Sequence, residues 1–279
     1  MEYRSARPED VPGLKRLWER CFGDDPAFID RFFAHLFRPE HMAVCALDGM
    51  PVSMVAFLPC RLRGAGADLP CAYLYAMATD PARQGRGLGQ ALLRFAHSYG
   101  REQGWRGLTL VPADQGLFQF YAKAEFQTAF FYRQLRWSGS PTPGAGVVSP
   151  AVPEAYRMLR EQLLAQIPHL DHTLPFLTHA EQEYRRTGGG LFRIELPGGF
   201  AACAAVERSA EGVWQAKELL APEGRQEAAL AALARRLGTG TLIARTTASG
   251  ARQAVPFGMA RWSEPIPQGR SAYLGLALD

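Results

Sequence analysis

The sequence predicts an α/β protein of two domains, in which strands and helices follow one another along each half. Apolar residues recur with strand spacing in some segments and with helical spacing in others. A segment rich in glycine, proline and serine, residues 138–146, divides the chain into near-equal halves. An offset of 141 residues, which places Pro222 on Pro81 and Leu233 on Leu92, superposes a second strand–turn–helix unit on the first and indicates a duplicated domain.

The composition excludes several classes of protein. The 279 residues are 47% hydrophobic and 21% charged, which suits folded domains with a substantial core. The net charge is +4 and the basic residues are scattered, so we expect no nucleic-acid partner. No apolar run reaches the length of a membrane span, and the N-terminus does not resemble a signal peptide, so we expect a cytoplasmic protein without a membrane partner. The five cysteines include no CxxC pair, which indicates reduced and mostly buried thiols.

Elements can be assigned in order through the first half. Asp10 is a predicted N-cap, and apolar residues at helical spacing predict a helix after it. Asp48-Gly49 is a strong hairpin signal between two apolar runs. The other predicted elements are a short helix over 28–36, strands over 42–47, 51–58 and 71–79, a glycine-rich turn, a helix from Leu88 that Gly104 closes, a strand over 108–111, a helix over 115–124 and a strand region over 126–137.

The second half repeats a similar order of elements. The predicted elements are a helix over 154–166, strands near 191–196, 200–207 and 213–220, a helix over 226–237, a strand over 241–246 and a closing strand over 273–278. We therefore predict one domain over residues 1–137, a linker over 138–153 and a second domain over 154–279.

The glycine-rich turn before the best-defined helix is the candidate functional site. Glycines 85, 87 and 89 allow backbone N–H groups to approach a ligand closely, and the first turn of a helix leaves its N–H donors without internal partners. The helix dipole adds partial positive charge, so phosphate suits this site best. The P-loop ending Gly-Lys-Ser/Thr is missing, and Gln90 stands where the dinucleotide fingerprint needs its third glycine.

Two motifs together resemble the GNAT superfamily of acyl-CoA N-acyltransferases. The first, Gln-x-x-Gly-x-Gly at residues 84–89, stands between a strand and a helix, as that family's cofactor motif does. The second, Phe-Tyr-Ala-Lys-Ala-Glu-Phe at residues 120–126, is similar to the family's Phe-Tyr-x-Lys-x-Gly-Phe motif and departs from it at Glu125, where glycine is usual. The resemblance covers about residues 1–137.

The resemblance implies a fold and an activity. Each half is expected to be a GNAT-like domain with a central mixed, mostly antiparallel sheet flanked by helices. The implied activity is transfer of an acetyl group from acetyl-CoA, as a co-substrate, to a small-molecule or peptide amine that attacks the thioester directly. We expect no metal, and either a monomer or a homodimer.

The resemblance also implies roles for particular residues. The backbone N–H near Ala78 is the expected oxyanion donor, and Tyr121 is the expected general acid that protonates the departing thiolate. The expected cofactor-binding residues are Met77, Ala78, Thr79, Gln84, Gly85, Arg86, Gly87, Leu88, Gly89, Gln90 and Phe118.

The sequence does not identify the general base. The strand before the turn, residues 72–76, holds no carboxylate. Tyr73 or Tyr75 could act through a water molecule, and Asp24 or Asp25 could act from the loop between the first two helices. The missing carboxylate favours an alternative function, which is a non-catalytic acyl-CoA-binding or sensing protein whose second domain binds a partner.

The second half carries two further features. His169, Asp171, His172 and His179 complete no known zinc spacing, so we interpret them as a polar loop or an acceptor-contact surface. The 141-residue offset places Ala228 on Gly87 and Leu230 on Gly89, where side chains would fill the space that phosphates need. The second half therefore resembles a GNAT-like domain that has lost cofactor binding.

Overall fold

The computed structural model of the protein describes residues 1–64, 66–139, 146–209, 211–248, 254–263 and 272–278. The chain divides into unit 1, with Met1–Arg61, Leu69–Thr128 and Gly258–Gln268, and unit 2, with Leu62–Asp68, Ala129–Phe257 and Gly269–Asp279. The predicted fold class, mixed α/β with sheet flanked by helices, is confirmed. The predicted domain boundaries stay a prediction. Within the predicted linker, residues 140–145 lie outside the described residues, and Val147–Pro150 form a strand.

Unit 1 holds a sheet with helices on both faces. The sheet order is β1-β2-β3-β4-β5-β13, in which β4 and β5 run parallel and β1–β2, β2–β3 and β5–β13 are antiparallel pairs. The strands are β1 (Glu2–Ser5), β2 (Met42–Leu47), β3 (Met50–Gly64), β4 (Ala67–Thr79), β5 (Gly107–Leu110) and, numbered in chain order, β13 (Val255–Trp262). The helices are α1 (Val11–Phe22), α2 (Pro26–His35), α3 (Leu88–Glu102) and α4 (Gln115–Ala122).

Local sequence explains the elements that position the site. The predicted hairpin between β2 and β3 is confirmed, because Asp48 and Gly49 both adopt positive φ, 49° and 80°, as a type I′ turn requires. The helix α3 begins at Leu88, as predicted, and Gly104 follows its end with a φ of 82°. Its apolar stripe, including Leu92, packs with β2, β3, β4 and β5 in one core cluster.

Unit 2 repeats part of this arrangement. Its sheet order is β6-β12-β11-β10-β9-β7, and β11 and β12 are parallel neighbours joined by α7, as β4 and β5 are joined by α3. The strands are β6 (Gln127–Ser138), β7 (Val147–Pro150), β8 (His169–His172), β9 (Gly190–Leu196), β10 (Phe200–Arg208), β11 (Trp214–Leu220) and β12 (Thr241–Thr247), and the helices are α5 (Pro153–Leu164), α6 (Leu174–Arg186) and α7 (Gln226–Leu237). The predicted second strand–turn–helix unit is therefore present. No helix in the described part of the chain is long and apolar enough to cross a membrane.

Two predictions for unit 2 are wrong. His169–His172 form the strand β8 and His179 lies on α6, where a polar loop was predicted. The residues are polar but buried, and partners within the protein, such as Arg157 for Asp171, take the place of water. Residues 273–278 form no closing strand, because Gly275 takes a φ of 72° and only an isolated bridge joins Tyr273 to His169.

A buried ionic cluster connects α5, β11 and the C-terminal segment of unit 2. Arg160 is 1% exposed, and its Nε donates to Oε1 of Glu218 at 2.9 Å; Glu218 is fully buried. The hydroxyl of Tyr156 donates to the same oxygen at 2.7 Å. Arg160 also donates to the carbonyls of Leu170 and Leu274, at 2.9 Å and 3.4 Å. Each charge thus faces the other, and backbone carbonyls from two other segments accept further N–H groups of Arg160.

Acid should destabilise unit 2 through His172. This imidazole is buried against Phe176, with ring centroids 4.0 Å apart, and burial lowers its pKa to about 3. Because its pKa in the folded protein is below the value of ~6.5 in the unfolded chain, His172 contributes stability that is fully present above pH ~6.5. This contribution is lost as the pH falls toward 3, at up to ~1.4 kcal/mol per pH unit. We expect urea unfolding from pH 7 to pH 5 to lose more stability in wild type than in His172→Phe. Equal pH slopes for the two proteins would contradict this origin.

Candidate functional site

The turn before α3 is built from two left-handed glycines. Gly85 and Gly87 adopt φ values of 75° and 76°, and Gly87 is the N-cap of α3. The preceding 3₁₀ turn, Pro81–Arg83, is capped by Asp80, whose Oδ1 accepts from the Ala82 N–H at 3.1 Å. Glycine is required at both left-handed positions because other residues pay a steric cost there.

The turn is open to solvent. A Cβ atom built on Gly85 or on Gly87 would meet no atom within 4 Å, and residues 84–87 are all exposed. The side chain of Leu88 instead packs into a small cluster with Cys45 and Val52, so Leu88 can offer a ligand only its backbone. The N–H groups of the first turn of α3 lack partners inside the helix. These donors, the glycine backbone and the exposed Arg86 suit a phosphate group.

A backbone irregularity in β4 rearranges its side chains just before the turn. Ala76 has a φ of 48°, which is rare for a residue other than glycine. Before it, Leu74 faces the α3 core, whereas Tyr75 packs on Trp18 with ring centroids 5.6 Å apart. After it, Met77 packs against the α3 core. The alternation of the strand therefore changes phase at Ala76, as at a β-bulge.

The end of β4 diverges from its parallel neighbour. The register of β4 with β5 runs from Cys71↔Gly107 to Tyr73↔Thr109, and β5 ends at Leu110 while β4 continues to Thr79. Beyond Leu74, the edge of β4 that faces β5 is therefore no longer paired with β5. Backbone donors and acceptors on an edge that lacks a neighbouring strand can pair with an extended ligand.

Gly89 allows α3, α4 and the end of β4 to meet closely. A Cβ atom on Gly89 would lie 3.3 Å from Cζ of Phe120, 3.4 Å from Cε of Met77 and 3.5 Å from Oγ1 of Thr79. Nε2 of Gln90 donates to the Phe120 carbonyl at 2.8 Å and fastens α4 to α3. The structure thus brings Met77, Thr79, Gly89 and Gln90 together.

Ser53 is a residue of this region that sequence reasoning missed. Its buried hydroxyl donates to the Ala78 carbonyl at 2.7 Å and lies 2.8 Å from Oγ1 of Thr79. It therefore fixes the orientation of the peptide groups at the end of β4. A single hydroxyl inside the apolar run 52–58 was the available signal, because buried polar groups need a partner.

The carbonyl oxygen of Thr79 accepts two hydrogen bonds from side chains. It accepts from Nε2 of Gln84 at 3.1 Å and from Sγ of Cys21 at 3.4 Å. Burial, with a further contribution from Asp80, raises the pKa of the Cys21 thiol, so this group stays protonated and donates. Gln84 thus holds the glycine turn to the end of β4 and has a structural partner within the site.

Tyr121 lies on α4 in the core cluster of unit 1. The helix begins at the N-cap Asp114, whose Oδ1 accepts from the Leu117 N–H at 2.9 Å. Tyr121 is 8% exposed and packs edge-on against Phe120 and Phe126. Burial, and secondarily the charge of Asp114, raises the pKa of the Tyr121 phenol to about 12. Phe118 is half-buried beside the same cluster.

The turn that follows α4 explains why glycine is usual at position 125 in the motif. Glu125 adopts a left-handed φ of 66°. Its carboxylate pairs with Arg261 at 2.5 Å, and Nη1 of Arg261 also donates to the Ala124 carbonyl at 3.2 Å. The turn therefore has the geometry that glycine would supply, at the cost of backbone strain in this chain.

Replacing Glu125 with glycine should stabilise the protein slightly. Relief of the left-handed strain is worth ~1 kcal/mol, and the lost ion pair costs less because the Glu125 side chain is 73% exposed. The matched control is Lys123→Gly, where the φ of −65° is helical, so the same change should destabilise by about 1 kcal/mol. Urea unfolding of both variants measures the two signs. A destabilised Glu125→Gly would mean that the ion pair outweighs the strain.

The candidate bases have structural partners. Asp24 accepts from Nε1 of Trp18 at 2.8 Å, and Asp25 caps α2 by accepting from the Ala27 N–H at 3.0 Å. Tyr73 is 2% exposed and stacks on the half-buried Tyr75, with ring centroids 6.3 Å apart. Across the described residues, no group of three or more His, Cys, Asp or Glu side chains is arranged to hold a metal ion.

Comparison with known proteins finds a family match in the first half of the chain. The sequence model of the acetyltransferase (GNAT) domain matches residues 2–129. A search of curated protein sequences finds no match.

Solved structures resemble the chain over nearly its whole length. A probable N-acyltransferase from Enterococcus faecalis V583 has a TM-score of 0.71 and 14% identity, covering 94% of this chain and 72% of that one. A GCN5-related N-acetyltransferase from Anabaena variabilis has a TM-score of 0.70 and 18% identity, with the same coverage of 94% and 72%. A putative acetyltransferase from Pyrococcus horikoshii has a TM-score of 0.60 and 17% identity, covering 99% and 94%. At these identities the likeness concerns the fold.

Proposed function

We propose that the chain, whose residues 2–129 match the sequence model of the GNAT acetyltransferase domain, is an acyl-CoA-dependent N-acyltransferase that moves an acetyl group from acetyl-CoA to an amine. The observation that carries this proposal is the open turn of Gly85 and Gly87 at the N-terminus of α3. It lies next to the end of β4 that extends beyond β5, so one ligand with phosphates and an extended arm would engage both. The acceptor is a small-molecule or peptide amine.

The residues have distinct roles in this proposal. The backbone of residues 84–90 would hold the phosphates, and the edge at Met77–Thr79 would pair with the extended arm of the ligand. Bound acetyl-CoA supplies an activated thioester carbonyl. The Ala78 N–H would stabilise negative charge on the carbonyl oxygen, and the Tyr121 hydroxyl would donate to the departing sulfur. Ser53 acts through Ala78 and Thr79 as a positioning residue.

We propose that the second half is a degenerate GNAT-like domain without a cofactor site, with the domains at 1–137 and 154–279 and a linker at 138–153. The offset of 141 residues aligns residues 226–228 with Gly85–Gly87, yet α7 already begins at Gln226. An open turn is therefore replaced by helix. Leu230, aligned with Gly89, is 3% exposed and fills the corresponding position with a core side chain.

Gly87→Glu should strongly weaken acetyl-CoA binding. A Glu side chain would occupy the open space of the turn and place a carboxylate against the phosphates, which should weaken binding at least about tenfold. Gly104→Glu is the matched control, because Gly104 has a φ of 82°, equally open surroundings and a position beyond the other end of α3. Its acetyl-CoA affinity should stay within about twofold of wild type.

Calorimetric titration of acetyl-CoA into the three proteins makes this test. Equal weakening by the two substitutions would point to a general effect on α3 and remove the turn from the site. Folded wild-type protein that binds no acetyl-CoA would end the transferase proposal. Binding without thiol release across a panel of amines would favour the alternative, a non-catalytic acyl-CoA-binding or sensing protein.

A further inference from the structure

Arg261 of β13 holds the turn that follows α4. Its Nη1 donates to the Ala124 carbonyl at 3.2 Å, and its Nη2 lies 2.5 Å from a carboxylate oxygen of Glu125. The side chain of Arg261 is 16% exposed, whereas that of Glu125 is 73% exposed. Because water screens the ion pair at the Glu125 carboxylate, the hydrogen bond to Ala124 is the contact that fixes the position of the turn.

The Ala124 peptide is in turn bonded to Tyr121. The N–H of Ala124 donates to the Tyr121 carbonyl at 2.9 Å, and the N–H of Phe126 donates to the same carbonyl at 3.2 Å. The rings of Phe126 and Tyr121 pack edge-on, with centroids 6.0 Å apart. A shift of the Ala124 peptide would therefore change both the backbone position and the ring contacts of Tyr121.

The strand β13 presents Arg261 to this turn from the face that packs on the core of unit 1. In the antiparallel register with β5, Met259 lies opposite Leu110 and Arg261 lies opposite Leu108. Met259 belongs to the core cluster that contains Tyr121. Residues two apart along a strand share a face, so Arg261 extends from the same face as Met259. A cation next to the C-terminal end of α4 is also favoured by the helix dipole.

The strand β13 is distant from α4 in the sequence. Ala124 and Arg261 are 137 residues apart, and the match to the sequence model of the GNAT domain ends at residue 129. Gly258–Gln268 nevertheless belongs to unit 1. The stretch that the sequence model matches therefore omits a strand of its own unit, and this strand carries the arginine that contacts the turn after Tyr121.

We propose that Arg261 is a positioning residue for Tyr121, so that the transfer reaction requires the strand β13 as well as residues 2–129. This inference rests on the proposed function, in which the Tyr121 hydroxyl donates to the departing sulfur. A displacement of about 1 Å in a reacting group can cost about a hundredfold in rate. Arg261 acts through the Ala124 peptide and has no assigned contact with the substrate.

The test measures thiol release at saturating acetyl-CoA and amine in wild type and in Arg261→Met. Methionine keeps an unbranched apolar side chain and removes the donors to Ala124 and Glu125. We expect kcat to fall about tenfold, which is less than for Tyr121→Phe because the hydroxyl is still present. The affinity for acetyl-CoA, measured by calorimetry, should stay within about twofold of wild type.

Adding Arg261→Met to Tyr121→Phe separates positioning from a general loss of stability. If Arg261 acts through the hydroxyl, kcat of the double variant should lie within about twofold of Tyr121→Phe alone. Arg4→Met is the matched control, because the Arg4 side chain is 11% exposed and donates to both carboxylate oxygens of Asp10, at 2.6 Å and 3.0 Å. It removes a similarly shielded arginine from unit 1 and should leave kcat within about twofold of wild type.

Arg261→Lys keeps the charge and one donor group, so it should recover part of the activity, with a loss of about threefold. This variant decides if Arg261→Met does not fold, because its loss should likewise disappear in the Tyr121→Phe background. Equal losses with and without the Tyr121 hydroxyl would overturn the inference and leave the proposed function standing. Unchanged kcat in Arg261→Met, or an equal loss in Arg4→Met, would do the same. Wild type that releases no thiol with any amine would end the proposed function and this inference together.

Discussion

Tyr121→Phe should lower kcat by about a hundredfold and leave acetyl-CoA affinity nearly unchanged. The substitution removes one oxygen from a side chain that is 8% exposed and packed between Phe120 and Phe126. The aromatic packing is kept, so the glycine turn and the end of β4 should retain their geometry. The loss would therefore report the hydroxyl's contribution when the sulfur departs.

The raised pKa of Tyr121 sets the size of this effect. Burial raises it to about 12, so the phenol keeps its proton through pH 10, where a free tyrosine would be half ionised. Complete transfer from such a phenol to a thiolate with a reference pKa of ~8.5 is unfavourable. Tyr121 should therefore act mainly by donating a hydrogen bond, which favours the lower end of the range of ~10²–10⁴ found for acid catalysis.

The measurement is thiol release from acetyl-CoA with a responsive amine, in wild type, Tyr121→Phe and the control Tyr99→Phe. The Tyr99 hydroxyl lies on α3 and donates to the Glu40 carbonyl, so its removal should leave kcat within about twofold. The wild-type rate should also show no alkaline loss from phenol ionisation below about pH 10, because the folded-state pKa is raised. Full activity in Tyr121→Phe would remove this residue from the mechanism.

The sequence predicted best where a local pattern determines the structure. The start of α3 at Leu88 and the glycine after its end follow from an apolar stripe and from end signals within the same segment. The hairpin at Asp48 follows from two residues that tolerate positive φ. The glycine turn was predicted for the same reason, because its backbone geometry depends on the residues that form it.

The sequence reasoning missed or misjudged features that depend on residues far apart in the sequence. The change of phase at Ala76 has no local signal, since alanine does not favour positive φ. The contact of Ser53 with Ala78 joins residues on different strands. The sequence suggested a polar surface for Asp171 and His172 because their partners lie elsewhere in the sequence. The partner of Asp171, for example, is Arg157 on α5. Buried polar groups therefore mislead composition-based reasoning until the network that satisfies them is known.

Breaking the buried ion pair between Arg160 and Glu218 in unit 2 should have a large effect on stability. Arg160→Leu should lower the free energy of unfolding by about 3–5 kcal/mol. The substitution would leave Glu218, which is fully buried, with the Tyr156 hydroxyl as a neutral donor and without its cation. The carbonyls of Leu170 and Leu274 would lose their donor as well. The control Arg193→Leu breaks an exposed pair and should cost under about 0.5 kcal/mol.

Combining the two changes separates the stranded charge from the loss of packing. Arg160→Leu with Glu218→Leu should be more stable than Arg160→Leu alone, because removing both charges eliminates the uncompensated carboxylate. Urea unfolding at pH 7 gives the free energy of unfolding of wild type, Arg160→Leu, Arg193→Leu and the double variant. If Arg160→Leu does not fold, Glu218→Gln decides: it keeps the shape, removes the charge and leaves Arg160 as the uncompensated ion. A cost under about 1 kcal/mol for either single change would mean that water reaches this pair and that α5, β11 and the C-terminal segment are joined by packing alone.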